Sequence, residues 1–370
     1  MNKKLKNAAI VFLGDFSYDA RCINMALSLM KENYQVSIIH SQLNAKPLDP
    51  IFKKIKFFHL NIQPKKIVTY FSFYKKVKFI LQKNNFDILI AGDLYSLANI
   101  CKYKNKSHLI YDCREIYFEL SAHQKHPIKK YISYLYENYF LQFIDTVFVT
   151  AESDLSLLQS TYNKHNHLKW YTLYNFPYSF DNKHNINLHK KLNIPKQYKL
   201  LLYQGVIQKH RGIGALIEII NCSSSLCAII IGDGAALDQY KKIVSDKNLN
   251  DKIYFLGKIP YLQMLSYTAS CDIGWLIIKP KGISNKFALP NKLFEYTLAG
   301  LPVISTKLPN MYPIIERNNF GICVNENNLK EQIQAVHNII DNYKKYNHLA
   351  DLTAKQYIWN VQHKQFIKAL

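Results

Sequence analysis

Between Ser284 and Ser305 the chain gathers Asn285, Leu289, Lys292 and Glu295 around Pro290 and closes on Gly300-Leu-Pro-Val-Ile304. Pro290 suits the first turn of a helix, where its missing N–H would have no partner. From Lys292 to Leu298, the positions Leu293, Phe294, Thr297 and Leu298 keep one face apolar, Glu295 falls about one turn in, and Gly300 is placed to cap the C-terminus. Pro302-Val-Ile-Ser-Thr306 reads as a short buried strand. A loop carrying Gly282 and Asn285 that feeds such a helix presents unpaired backbone N–H groups and the positive end of the helix dipole, which is where a diphosphate sits. An ordinary loop and helix use the same residue types, so the remaining polar residues must be weighed with these.

Glycines recur where apolar runs end: Gly205 after Leu201–Gln204, Gly232 and Gly234 in Ile231-Gly-Asp-Gly234, and Gly257 in Leu256-Gly-Lys-Ile-Pro260. Glycine at such points lets a backbone amide approach a ligand closely. Arg211, reached through Lys209-His-Arg211, offers a rigid fork that can hold a phosphate by two bonds or simply stand at the surface. Glu295 can accept hydrogen bonds from a ribose diol. In the first half, Gly14, Asp19 and Arg21 follow the first apolar run, Asp93 follows Ile88–Ala91, and Asp112, Arg114 and Glu115 follow Leu109–Tyr111. These lie at the carboxyl edge of a sheet, where open α/β folds bind ligands, although Asp19 and Arg21 also fit a solvated pair. With no Asp-x-Asp pair, and His123-x-x-His126 read as surface, no metal is expected.

The elements that position these residues alternate. Short apolar runs at Ala8–Leu13, Val36–His40, Ile55–Leu60, Asp87–Ala91, His108–Asp112 and Thr146–Thr150 read as strands, with helical patterns such as Cys22–Lys31 between them. A second series follows at Leu200–Gln204, Ala228–Ile231, Ile253–Leu256, Ile273–Leu276 and Val303–Ser305. Such alternation implies parallel, doubly wound sheets, and 370 residues are too many for one core. Periodicity fails from Tyr174 to Tyr198, where Asn175, Pro177, Asp181, Asn182, Asn185, Asn187 and Pro195 break any element. The expected division is 1–178, 179–348 and a C-terminal helix in 349–370 that packs back toward the first domain through Trp359 and Phe366. The tail from Leu329 reads as helical in two pieces, and the tyrosines of His126–Phe143 read as core rather than as an acceptor platform.

The net charge of +22 comes from 48 basic residues, of which only Arg21, Arg114, Arg211 and Arg317 are arginines, so part of it is a compositional drift toward lysine. Residues 46–83 carry ten Lys against the single Asp49, interleaved with Tyr70, Phe71, Phe73, Tyr74 and Phe79. That segment fits a solvated basic face or contact with an anionic membrane surface; no nucleic-acid motif accompanies it, so no nucleic-acid partner is expected. Seven cysteines without a Cys-x-x-Cys pair point to reduced thiols and a cytoplasmic protein. The opening apolar run ends at Asp15, too soon for a signal peptide, and no run is long enough to span a bilayer, so membrane association is expected to be peripheral, at the inner face. Gly14 stands alone, without the Gly-x-Gly-x-x-Gly fingerprint of nicotinamide enzymes.

Together, Gln204-Gly-x5-Arg-Gly212, Ile231-Gly-Asp-Gly234, Phe255-Leu-Gly-Lys258 and Leu289-Pro-Asn-Lys-Leu-Phe-Glu-Tyr…Gly-Leu-Pro-Val-Ile304 resemble the retaining glycosyltransferases of family 4, the group 1 glycosyltransferases with the GT-B fold. Tyr18-Asp-x-Arg21, the Asp93 loop, Tyr111-Asp-x-x-Glu115 and Tyr174-Asn-x-Pro177 extend the resemblance over nearly the whole chain. It implies two Rossmann-like domains facing each other across a cleft, with no cofactor beyond the nucleotide-diphospho-sugar donor. The donor would be held by Gly205, Lys209, Arg211, Gly232, Gly234, Lys258, Ile259, Asn285, Leu289, Lys292 and Glu295, with the base near Lys258 and Ile259, the ribose on Glu295 and the diphosphate on Arg211 and the amides around Leu289. Asp112, Arg114 and Glu115 would be catalytic, and Gly14, Asp19, Arg21 and Asp93 would serve a glycan or lipid-linked acceptor. The chain departs from the family pattern at Phe287, where a carboxylate eight residues before Glu295 is usual, at Arg114 and Ala91-Gly-Asp93, where His is frequent, and at Val206, where a basic residue often stands. Lys209, Lys286 and Lys292 are the candidates to replace that charge. A sugar-nucleotide epimerase or a catalytically silent GT-B module are the competing readings.

Overall fold

A computed structural model describes residues 5–41, 49–62, 66–120, 126–179 and 186–370. His123, residues 180–185 of the expected linker, and residues 46–48 and 63–65 of the basic segment lie outside the described residues. Contacts divide the chain into two units, Met1–Asn175 with Gln362–Leu370, and Phe176–Val361.

Unit 1 holds a seven-stranded sheet in the order β3-β2-β1-β4-β5-β6-β7. Its strands are β1 (Asn7–Phe12), β2 (Gln35–His40), β3 (Lys56–His59), β4 (Ile88–Ala91), β5 (His108–Asp112), β6 (Thr146–Val149) and β7 (Lys169–Thr172), and every pairing is parallel. Its helices are α1 (Ala20–Lys31), α2 (Lys66–Lys83), α3 (Leu97–Ile100), α4 (Pro127–Leu141) and α5 (Glu152–Thr161). Unit 2 repeats the plan with six strands in the order β10-β9-β8-β11-β12-β13. These are β8 (Lys199–Gln204), β9 (Leu226–Ile231), β10 (Ile253–Gly257), β11 (Ile273–Leu276), β12 (Val303–Thr306) and β13 (Gly321–Val324). Its helices run from α6 (Leu188–Lys191) through α7 (Ile213–Asn221), α8 (Leu237–Asp246), α9 (Tyr261–Thr268), α10 (Gly282–Lys286), α11 (Asn291–Leu298), α12 (Tyr312–Asn318), α13 (Leu329–Asp341) and α14 (Tyr343–Ala354). The last helix, α15 (Trp359–Lys368), contributes its end from Gln362 to unit 1.

In both units the strand order reverses beside the first strand, at β1/β4 and at β8/β11, which creates the crevice where doubly wound sheets take ligands. The central strands are buried throughout, as in β1, β4 and β9, because helices cover both faces of a parallel sheet and select continuous Ile, Leu, Val and Ala. Aspartates just before three strands satisfy an N–H at the start of a neighbour: Asp87 accepts from Asn7 N (2.7 Å), Asp145 from Leu109 N (2.8 Å) and Asp272 from Leu200 N (2.8 Å).

Three expectations change. Strands β7 and β13 escape the sequence reading because both are edge strands, only partly buried, and show no sustained apolar run. The tail forms three helices rather than two, and within unit 1 the ring of Phe366 lies 5.7 Å from that of Phe148. On α4, Tyr134 and Tyr136 pack on the core as expected, but Tyr131 and Tyr139 stand exposed.

One contact fixes α11 to its sheet. Tyr296 is fully buried; its hydroxyl accepts from Gln204 N (3.2 Å) and donates to Leu202 O (3.1 Å), so it closes the end of β8. Its ring occupies the space where a side chain on Gly274 of β11 would be, since a Cβ there would lie 2.3 Å from Tyr296 Cδ2. The helix then ends in a Schellman turn, with Gly300 N on Thr297 O (2.9 Å) and Leu301 N on Tyr296 O (2.9 Å). Gly274→Ala is therefore expected to displace α11 and lower stability by about 1–3 kcal/mol, the usual cost of overpacking a filled core, read as a fall in the thermal midpoint.

Candidate functional site

At the unit 2 switch point, β8 runs out into Gly205, whose φ is +124° and whose missing side chain faces Lys292 Nζ, 4.0 Å from an ideal Cβ. Gly232 stands one loop away at φ +138°, and a Cβ there would lie 1.9 Å from Gly205 O. The closest approach it permits is thus between the two loops. Their amides are used in the same packing: Gly205 N donates to Ile231 O (2.9 Å), Gly232 N to Gly257 O (2.8 Å) and Ile207 N to Asp233 O (2.9 Å). Gly234 belongs to that packing too, with Ile207 O 2.3 Å from where its Cβ would be.

The segment entering α11 differs from the expected loop. Gly282–Lys286 forms the short helix α10, and Pro290 precedes α11 as an extended cap residue (φ −75°, ψ 144°) instead of occupying its first turn. No side chain caps this N-terminus. Asn285 and Leu289 are partly buried at the connection, and Phe287, in the position where a carboxylate was expected, has its carbonyl held by Asn310 Nδ2 (2.6 Å).

Lys292 is buried at 8% exposure, with Nζ 4.2 Å from the centre of the Tyr203 ring. Burial, aided by the like charge of Arg211 and only partly opposed by Glu295, brings its pKa down to about 7. Glu295, one turn on, accepts from Gln204 Nε2 (2.5 Å), whose Oε1 accepts in turn from Thr268 Oγ1 (2.8 Å). Burial raises Glu295 to about 7 despite that bond and Lys292. Among the described residues neither Arg211 nor Lys292 forms an ion pair. Positive charge crowds this corner further: burial first, then Lys281, Lys279, Lys209 and Arg211, hold His210 below the usual histidine range. Two cations without a carboxylate partner, beside a glycine turn and an uncapped helix start, make a corner able to take a multiply charged anion. Lys209 is exposed, Lys258 is exposed with Nζ 3.6 Å from Asp233 Oδ2, and Ile259 beside it is buried.

In unit 1 the charges are arranged the other way, each against its opposite. Asp112, fully buried at the end of β5, accepts from Arg21 Nε on Oδ1 (2.6 Å) and from Arg114 Nε on Oδ2 (2.7 Å). Arg114 continues to Asp19 Oδ2 (2.5 Å) and Cys22 Sγ (3.0 Å), while Asp19 Oδ1 caps α1 at Cys22 N (2.8 Å). Arg21 Nη1 reaches Leu173 O (2.5 Å) and Asn175 Oδ1 (2.8 Å). Burial works against ionisation of Asp112, but the two arginines outweigh it and hold the carboxyl below its ordinary range. Asp93 sits in a separate clasp, accepting from Leu13 N (2.5 Å), Ser96 N (2.9 Å) and Ser96 Oγ (2.7 Å), so it ties the end of β1 to the end of β4. Gly14 adjoins it, packed under the Phe12 ring, which a Cβ there would approach to 2.9 Å. Glu115 is exposed and outside the ladder.

The structure therefore joins Asp19, Arg21, Asp112 and Arg114 in one network, and gathers Gly205, Arg211, Lys292 and Glu295 in another. Sequence reasoning missed Gln204, Tyr203, Thr268 and the lysines at 279 and 281. Only the strand-end position of Gln204 pointed to them, because the others act through contacts distant in sequence.

Residues 185–356 match the family model for glycosyl transferases group 1. Sucrose-phosphate synthase from Thermosynechococcus elongatus shares the fold with a TM-score of 0.74 and 14% identity over 98% of each chain. HepE of Anabaena, solved with UDP-glucose, aligns with a TM-score of 0.71 and 14% identity over 97% of this chain and 98% of its own. A glycosyltransferase from Rickettsia africae aligns at 0.69 and 17% identity over 99% and 98%. A comparison with curated proteins gives no match. The two Rossmann-like units are those of the GT-B fold. Residues 185–356, within unit 2, carry the glycosyl transferases group 1 domain, which supports a transferase.

Two outcomes follow from the electrostatics. Asp112→Ala leaves two buried guanidinium groups without their anion and is expected to cost about 3–5 kcal/mol of stability, measured by denaturant unfolding. For unit 2, Glu295 titrates near 4.5 unfolded and about 7 folded, so it withdraws stability as pH rises through that interval. Lys292 titrates near 10.5 unfolded and about 7 folded, so its penalty is full below about 7 and relieved as pH rises toward 10.5. Relative to a Lys292→Met, Glu295→Gln variant, the unliganded wild type is expected to lose stability up to about pH 7 and regain it above, in a series of thermal midpoints against pH.

Proposed function

We propose that this protein is a retaining glycosyltransferase of the family 4 type, moving a sugar from a nucleotide-diphospho-sugar to a surface-glycan or lipid-linked acceptor. The observation that carries the reading is the pair of basic side chains outside any ion pair, Arg211 and Lys292, beside Gly205 and the open N-terminus of α11. There the diphosphate would bind, with the Leu289 segment and Asn285 at its edge. Lys292 would take up a proton as the phosphate docks, since an adjacent anion favours the charged amine. Glu295, oriented by Gln204, would accept from the ribose diol, and the base would lie by Lys258 and Ile259. Charge developing on the leaving diphosphate would be met by these cations and the helix end, without a resident metal.

In the transfer, the bond from the anomeric carbon to the phosphate oxygen breaks, and a bond from the acceptor oxygen forms on the same face. The acceptor proton passes to the departing phosphate oxygen, releasing a nucleoside diphosphate. Asp112 has both oxygens bonded to arginines and is suited to orient Arg114 rather than to take a proton. Acceptor recognition is assigned to unit 1, where Asp19, Arg21 and Arg114 form the ordered ladder, Gly14 and Asp93 shape the neighbouring loop, and Glu115 is exposed. Among the described residues no helix is long and apolar enough to cross a membrane. Seven unpaired cysteines and the lysines of residues 46–83 support work at the cytoplasmic face of a membrane, in peripheral contact with anionic lipid.

Because HepE binds UDP-glucose, uridine donors are the first to test, followed by guanosine, adenosine and thymidine diphospho-sugars. A donor at a hundred times its Kd is expected to stabilise the wild type by about 2.7 kcal/mol, visible as a raised thermal midpoint. Glu295→Ala and Lys292→Met should each abolish most of that shift. No shift with any donor in the panel would overturn the reading.

A further inference from the structure

The amino-terminal edge of the unit 1 sheet, opposite its crevice, holds a cavity of about 170 Å³ beside the starts of β1, β4 and β5. Two connections wall it, residues 84–87 between α2 and β4 and residues 103–107 before β5. Ser107 Oγ donates to Phe86 O (2.7 Å) and joins the two. Asp87 ties both to the sheet, its Oδ2 accepting from Asn7 N (2.7 Å) and its carbonyl from His108 N (2.9 Å). The walls are therefore fixed before any ligand arrives, which lowers the cost of binding one. Strand β1 has six residues, so at about 3.3 Å each the cavity stands about 20 Å from the carboxyl edge that carries Asp93 and Asp112.

Its lining has two parts. Leu81, Leu89 and Phe86 are buried and make an apolar floor. The rim is polar and its groups are unused: among the described residues no hydrogen bond or ion pair engages the Asn85 side-chain amide, Asp87 Oδ1, the Tyr103 hydroxyl or Lys106 Nζ.

We propose that this cavity is a second carbohydrate site, binding one neutral sugar ring of a glycan away from the place of transfer. The choice of a glycan rests on the glycosyltransferase reading. A cavity of about 150 Å³ accepts a six-membered ring such as benzene, so this one admits a pyranose whose substituents reach the rim. A sugar presents an apolar C–H face and a girdle of hydroxyls, each a donor and an acceptor. The cavity answers both, because the floor is apolar, the Asn85 amide and Tyr103 hydroxyl donate and accept, Asp87 accepts and Lys106 donates. A phosphate would meet the Asp87 carboxylate beside its one lysine, and a wholly apolar ligand would strip water from rim groups it cannot bond. Metal chemistry is not offered either, since no group of three metal-ligating side chains occurs among the described residues. A glycan held here has its remaining length free, which raises the local concentration of acceptor ends.

The full-length protein, labelled at its leucine methyls, is to be titrated with the methyl glycosides of glucose, galactose, mannose and N-acetylglucosamine, with glycine and inorganic phosphate as charged controls. UDP, GDP, ADP and dTDP are titrated in parallel. At least one glycoside is expected to shift the Leu81 and Leu89 methyls, whether or not a nucleotide is bound, and the controls to leave them in place. Asn85→Ala with Tyr103→Phe removes two groups that bond to nothing else in the fold, and is expected to weaken the glycoside about tenfold while nucleotide affinity stays unchanged. The methyl spectrum itself reports that the variant is folded. No shift with any glycoside, a shift with the charged controls instead, or a glycoside response that a nucleotide displaces or that the double variant keeps in full would overturn the site. Nucleotide binding without a glycoside response sinks this proposal and spares the donor reading; a glycoside response lost in the double variant, with no nucleotide bound, supports the site and sinks the donor reading.

Discussion

The contact between Tyr296 and the space left by Gly274 is the constraint on which unit 2 depends. Helix α11, separated from β11 by α10 and its flanking loops, could otherwise rotate or slide, and either motion would move Lys292 and Glu295 by a large part of their reach. The Tyr296 hydroxyl removes that freedom by bonding to the last turn of β8 at Leu202 and Gln204, and its ring leaves no room for a side chain beneath it. Gln204 then carries the order outward, because its own side chain bridges Thr268 and Glu295. One buried tyrosine therefore sets the distance between a glycine turn, a lysine and a carboxylate that come from two distant parts of the chain.

The two units handle charge in opposite ways. In unit 1, burial is tolerated because each ion meets its counterion: Asp112 is shared by Arg21 and Arg114, and Asp19 closes the other side of Arg114. Such a network orders the loop after β1 and leaves little unsatisfied field. In unit 2, burial first and then the charge of Arg211, only partly offset by Glu295, drive Lys292 toward neutrality. An electrostatic debt of this kind is repaid only when an anion arrives, which is why the corner reads as a binding site and the unit 1 ladder as a scaffold.

Much of this was legible beforehand. Eleven of the thirteen strands follow from apolar runs, because interior parallel strands must be apolar on both faces, and the strand-end position of Asp112, the loop position of Arg211 and the helical position of Glu295 follow from the same punctuation. What stayed hidden depends on partners far along the chain. Gln204 looked like the last residue of a strand until Glu295 and Thr268 were placed beside it, and Asn175 looked like a helix breaker although it accepts from Arg21. The tyrosines of α4 were misjudged for a related reason: helical spacing reveals an apolar face but not whether the fold covers it, and Tyr131 and Tyr139 remain uncovered. Edge strands β7 and β13 lack the signal that burial on both faces imposes.

The central claim is that the Arg211 and Lys292 corner exists to hold a diphosphate. Calorimetric titration with a nucleoside diphosphate and with the matching nucleoside, in buffers of different ionisation enthalpy at a pH just above 7, tests it most directly. The diphosphate is expected to bind far more tightly than the nucleoside and to draw a proton onto the protein, with the uptake absent in Lys292→Met. Equal affinity for the two ligands, or tight diphosphate binding with proton uptake unchanged in that variant, would contradict the account.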